Sequence, residues 1–145
     1  MVIQTKYHGE IEIKENDIIK FPNGIPGFIE EKQFVLLPIN KESPFFILQS
    51  IHTDEVGFVV VNPFLFLHDY EFLLSKVEKE TLKVDTDQDV QVYTIVTLKE
   101  PFGESTANLQ GPIILNGNKK IGKQVILNDS PYTTRHKLFA EKIIK

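Results

Sequence analysis

Cysteine is absent from this 145-residue chain, which excludes a disulfide scaffold, a thiolate nucleophile and any zinc site built on sulfur. That suits a reducing compartment. Tryptophan is missing too, methionine occurs once, and Arg135 is the lone arginine. Guanine readout by bidentate arginine therefore lacks its usual residue. The first ten residues hold no signal-peptide stretch, because Gln4, Lys6, His8 and Glu10 interrupt them. The most apolar window, 58–67, is broken by Asn62 and Pro63 and is too short to cross a bilayer. These absences point to a cytoplasmic protein that enters no membrane.

What is there describes one folded unit. Hydrophobic residues make up 41% and charged residues 25%, an ordinary balance for a folded protein. A chain of this length buries about 68–70% of its unfolded surface around one core, so 1–145 reads as a single domain. The net charge of −4 is unevenly spread: the balance is −7 up to Thr133 and +3 in the last twelve residues. An acidic body repels a polyanion and favours encounter with a basic protein, although an acidic surface kept for solubility fits as well.

Short alternating segments dominate the pattern. Ile11 and Ile13 alternate with Glu10, Glu12 and Lys14, the period of a half-buried strand. Strands are further expected at 18–21, 34–37, 45–49, 57–61 and 90–98, and 70–74 can extend one. Pro22-Asn23-Gly24-Ile25-Pro26-Gly27 forces a tight irregular loop. Ser75 with Glu78 three residues on has capping-box spacing and predicts a short helix over 75–82. Residues 113–115 and 125–127 read as a hairpin around Asn116-Gly117-Asn118, where Asn-Gly supplies positive φ angles. Residues 134–144 read as a short amphipathic C-terminal helix. Together these predict a mainly β fold: a small closed or partly open antiparallel β-barrel, sandwich-like, with one or two short helices.

Motifs for chemistry fall away one by one. Asp85, Asp87 and Asp89 mimic the start of a calcium loop, but its required Gly and Glu positions hold Val90 and Val96. A solvated acidic turn is the better reading. His8, His52, His68 and His136 form no ligand-spaced pair. Gly24-Ile25-Pro26-Gly27 is no phosphate cradle, because Pro26 removes a donor. No serine lies in Gly-x-Ser-x-Gly. No enzyme, metal or cofactor is expected. What remains is apolar surface in 45–48 and 64–67: each run is either a strand covered on both faces or a partly exposed binding patch. Tyr70, Phe102 and Tyr132 are further aromatic anchors.

Several stretches then carry a resemblance. They are Phe-Pro-Asn-Gly-Ile-Pro-Gly-Phe at 21–28, Ser-Pro-Phe-Phe-Ile-Leu-Gln-Ser at 43–50, Phe-Val-Val-Val-Asn-Pro at 58–63 and Asp69-Tyr70. Thr-Ala-Asn-Leu-Gln-Gly-Pro-Ile-Ile-Leu-Asn at 106–116 and Gly-Lys-Gln-Val-Ile-Leu at 122–127 complete the set. In order and spacing, up to about Tyr132, they resemble the flagellar assembly factor FliW family. Asn62, where many members have an acid, and the pair Gln110-Gly111 depart from its pattern. The resemblance implies a non-enzymatic bacterial regulator that binds newly made flagellin and also CsrA, the RNA-binding repressor of flagellin translation. Holding CsrA lets translation proceed; flagellin takes the regulator away and frees CsrA. Candidate contact residues are Phe45, Phe46, Gln49 and Tyr70 as anchors, Asp85, Asp87 and Asp89 as a negative patch, and Asn108 with Gln124 as rim hydrogen-bonders. A monomer is expected, without direct nucleic-acid binding. An RNA-binding barrel and a barrel with an internal small-ligand pocket are the competing classes.

Overall fold

The alternating segments become strands, and the strands close on themselves. The computed structural model describes residues 1–128 and 130–138. A hairpin of β1 (Val2–Gln4) and β2 (Glu10–Glu12) stands apart as a two-stranded sheet. Then come β3 (Ile19–Lys20), β4 (Gln33–Pro38), β5 (Phe45–Ser50) and β6 (Gly57–Val61). After the helix α1 (Lys76–Thr81) follow β7 (Val90–Thr97), β8 (Thr106–Ala107), β9 (Ile113–Asn116), β10 (Ile121–Gln124) and β11 (His136–Lys137). Pairing runs β7-β6-β5-β4-β3-β10-β9 and returns to β7, a closed ring. Every junction is antiparallel except β3–β10, which is parallel. That junction is narrow: the pair Ile121 and Lys20 is its whole register, with Lys20 N–H donating to Lys120 O at 2.9 Å.

Period two then fills both sides of the wall. Phe21, Ile25, Phe34, Leu48, Val60, Ile113 and Leu115 form the inner cluster. Their outward neighbours are covered by other elements. Val35 packs with Ile3, Ile13 and Ile18 under the hairpin, and Ile47, Val59 and Val61 pack with Tyr70, Leu109 and Leu138. The apolar run 45–48 is thus covered on both faces, which explains its lack of alternation and gives the barrel its sandwich-like second layer. Each fully enclosed side chain of this kind contributes about 1.5–3 kcal/mol. Phe21, Phe34, Leu48 and Ile113 fill the interior, which argues against a ligand chamber there.

Gly24 shows why the Pro-Gly loop needs its residues. Its φ is +66°, and a Cβ there would lie 2.5 Å from the backbone oxygen of Ile29. The capping box predicts α1 well: Ser75 Oγ accepts from Glu78 N–H at 3.1 Å, and Glu78 Oε1 accepts from Ser75 N–H at 3.1 Å. A six-residue helix is marginal alone. Ser75→Ala is therefore expected to lower unfolding free energy by about 1 kcal/mol, with urea denaturation as the measurement; an unchanged midpoint would show that the cap holds nothing.

Three expectations need correction. Residues 70–74 extend no strand. The hairpin after β9 returns through Ile121–Gln124, not 125–127. The loop is the short stretch 117–120, closed by Asn116 Oδ1 accepting from Asn118 and Lys119 N–H, and the positive φ, 58°, falls on Lys120. In the C-terminal stretch, His136 and Lys137 pair with β8 as a strand instead of opening a helix. There Leu138 is drawn into the layer around Tyr70, and its N–H bonds Ser105 O at 3.1 Å. The rest of that expected helix lies outside the described residues.

Candidate protein-docking site

The sequence between β6 and β7 is the longest departure from the barrel, and its apolar residues outnumber the positions the core can take. Asn62 caps a 3-10 turn, Pro63–Leu65, through its Oδ1 and the Phe64 N–H at 2.9 Å. Phe66 and Leu67 tuck against the outer layer, while Phe64 and Leu65 face out. Further on, Phe72 and Leu74 turn in, whereas Leu73 is 92% exposed. Val77 of α1 is 66% exposed. Lone exposed apolar residues need no explanation, but all of these fall in the one stretch between β6 and β7. Beside it opens a cavity of about 360 Å³ lined by Phe64, Tyr70, Phe72, Leu74, Val90 and Val92, with Glu71, Lys79 and Asp87 at its edge.

Tyr70 fixes the floor. It is 2% exposed, and its hydroxyl donates to Leu109 O at 2.7 Å. Its ring meets Tyr132 edge-on at 4.6 Å, with Phe72 and Phe64 at 5.5 and 5.8 Å. The Tyr132 hydroxyl accepts from Glu71 N–H at 3.0 Å, tying the 70–74 segment to the layer near the C-terminus. Burial, with Tyr132 adding to it, pushes the Tyr70 hydroxyl well above its ordinary value. It therefore stays a neutral donor.

Acids frame the shelf. From Asp69 to Asp89 stand seven carboxylates against three lysines. Asp85 and Asp87 are exposed, and Asp87 lines the groove itself. Asp89 serves the loop: its Oδ2 accepts from Thr86 and Asp85 N–H at 3.0 Å, and its Oδ1 accepts from Asn118 Nδ2 at 3.0 Å. The Thr86 and then the Asp85 backbone bonds hold its carboxyl below the usual range. A depressed carboxyl adds stability that is present above its unfolded value and is lost as pH falls through the lowered one. Lys119 Nζ sits 3.7 Å from Asp85 Oδ2, an exposed pair of small worth.

The other candidate residues scatter. Phe46 points into the barrel against Tyr93 at 5.8 Å. Phe45 lies half-buried between Phe66 and Phe102, at 6.2 and 6.0 Å. Gln49 is fully buried and unavailable as a surface anchor: its Oε1 accepts from Lys6 N–H, and its Nε2 donates to Ser50 O. Asn108 and Gln124 do meet, but over backbone. Asn108 Oδ1 accepts from Gln110 and Gly111 N–H, and Gln124 Nε2 donates to Gly111 O at 2.8 Å. They shape the Leu109–Pro112 excursion that separates β8 from β9. Sequence reasoning missed Leu73 and Val77; Val77 is the lone apolar residue in a helix of Lys, Glu and Thr, and that was the available signal. The serine that comes nearest an acid, Ser50, is buried and donates to Glu31 while accepting from His52 and Thr53 N–H, a turn-building role. Among the described residues no group of three or more His, Asp or Glu is arranged to hold a metal, and no helix is long and apolar enough to cross a membrane.

Comparison with known proteins agrees with this architecture. The family model described as FliW protein matches residues 2–138. The flagellar assembly factor FliW of Geobacillus sp. (strain WCH70) is 53% identical over 145 residues, covering all of both chains. That of Bacillus subtilis (strain 168) is 53% identical over 141 residues, 97% of this chain and 99% of its own. A crystal structure of the flagellar assembly factor FliW superposes with a TM-score of 0.93 at 52% identity, covering 98% of this chain and 99% of that one. With a mainly β barrel and a match running nearly end to end, the chain belongs to the FliW family of flagellar assembly factors.

Proposed function

We propose that this FliW-family chain works in the cytoplasm as a partner switch, holding the repressor CsrA until newly made flagellin displaces it, so that flagellin translation follows flagellin supply. One observation supports the reading above the rest: the exposed apolar side chains of Phe64 and Leu73 line the same groove as the acidic loop residue Asp87. An amphipathic helix of unassembled flagellin needs an apolar groove, and a basic RNA-binding repressor needs carboxylates. Two partners that both lean on Asp87 and Leu73 exclude one another. The chain acts as a monomer and chaperone-like holder, with no catalytic step and no RNA contact of its own.

Displacement does not need a large difference in affinity, since about 1.4 kcal/mol shifts a competition tenfold. Leu73→Asp is expected to weaken flagellin binding by at least about tenfold without moving the melting temperature, because the side chain touches little in the free fold. Calorimetric titration measures both partners. Retained flagellin affinity, or a stable three-way complex on a sizing column, would defeat the reading. CsrA binding is also expected to fall more steeply with salt than flagellin binding.

A further inference from the structure

A second surface arises where the barrel wall is incomplete. β3 pairs just Ile19 and Lys20 with Phe34 and Gln33. Before it the chain coils into a 3-10 turn, Glu15–Asp17, where Asp17 N–H is taken by Lys14 O. β4 runs on through Val35, Leu36, Leu37 and Pro38 with β5 on one side. Ile39 N–H donates to Phe45 O, and Ile51 N–H donates to Gln33 O. Odd-numbered residues of β4 therefore turn their backbone to β5. By the alternation of an antiparallel ladder, the N–H and C=O of Leu36 and the C=O of Pro38 face the other way. No group among the described residues is bonded to them there. A cavity of about 520 Å³ opens at this edge, with Ile19 and Leu115 as apolar floor and Glu12, Asp17, Asp89 and Lys120 around it.

We propose that this open edge of β4 is a docking site for an extended, basic segment of a partner protein, which pairs with Leu36 and Pro38 as an added strand. Strand addition takes affinity from backbone bonds and selectivity from alternate side chains. Charge names the occupant. Three carboxylates against one lysine favour a lysine- or arginine-bearing strand. They also oppose a second copy of this chain, which would bring the same carboxylates together beside Pro38, as guarded edges do. The inference does not rest on the shelf around Leu73, so the two fail separately.

The test uses the isotope-labelled full chain and two short blocked peptides, one alternating valine and lysine, the other valine and glutamate. The lysine peptide is expected to shift the Leu36 amide resonance, less so as salt rises, and the glutamate peptide to leave it in place. Leu36→Pro removes the N–H aimed at the opening, and proline is tolerated on edge strands. It is expected to weaken the lysine peptide at least about tenfold while the melting curve stays cooperative. Should that variant unfold, the Glu12→Gln and Asp17→Asn double variant is expected to lose about fivefold. An unmoved Leu36 amide, equal shifts from both peptides, or a Leu36 shift that depends on protein concentration alone overturns the proposal.

Discussion

Phe34→Ala is expected to lower unfolding free energy by about 3–5 kcal/mol, the range for emptying a large buried aromatic site. Phe34 is fully buried at the centre of the inner cluster, edge-on to Phe21 at 5.0 Å. Its ring also approaches Phe58 at 6.3 Å. The barrel cannot collapse onto the void, because its strands are held in register around a closed ring. A domain of this kind carries about 5–15 kcal/mol in total, so the variant spends a large share of it. Urea titration followed by circular dichroism reads the loss. A cost below about 1.5 kcal/mol would mean that the interior is loose and that Phe34 is not its centre.

How far the fold was readable depends on which interactions are local. Gly57–Val61 carries its strand in its own composition, and Ser75 with Glu78 writes the start of α1 three residues apart. Ring closure is not local: it rests on one parallel contact between Lys20 and Ile121, a hundred residues distant in sequence and invisible in any alternation. The hairpin was half legible. Val125 and Leu127 do bond to Pro112 and Gln110, continuing the register of β9 and β10 past the last paired residues, while Asn116 had already set the turn.

The candidate site divides along the same line. The acidic run at Asp85, Asp87 and Asp89 was legible because charge stays at the surface wherever the chain goes. The burial of Gln49 and Tyr70 was not legible, because it depends on Lys6 and on Leu109, each about forty residues away. Leu73 escaped notice for the opposite reason. In sequence it is one more apolar residue among Phe72 and Leu74, and only the packed layer shows that its neighbours turn in while it turns out.

One side chain bonds the end of α1 to the barrel, and breaking it is expected to cost nearly as much as the core. Asn116, 1% exposed at the end of β9, donates through Nδ2 to Leu82 O at 2.9 Å and Lys83 O at 3.0 Å. Those carbonyls end α1, where Lys83 takes a positive φ of 57°. The same amide's Oδ1 holds the turn that reaches back to Asp89 through Asn118. Asn116→Ala leaves two carbonyls without their donor and the turn without its acceptor, an expected loss of about 2–5 kcal/mol at about 1–3 per unmet buried group. Asn116→Asp separates the two halves of the role. It keeps the acceptor for Asn118 and Lys119 but sets a carboxylate against two carbonyl oxygens, which raises its pKa in the folded state. Its penalty is therefore smallest below the unfolded carboxyl pKa of about 3.9 and grows as pH rises through and above it. Measured from pH 3 to 7, roughly the span of that titration, the gap between the two variants should change with pH. A pH-independent gap, or an Asn116→Ala variant as stable as the parent, would show that α1 and its exposed Val77 are held to the barrel by something other than this amide.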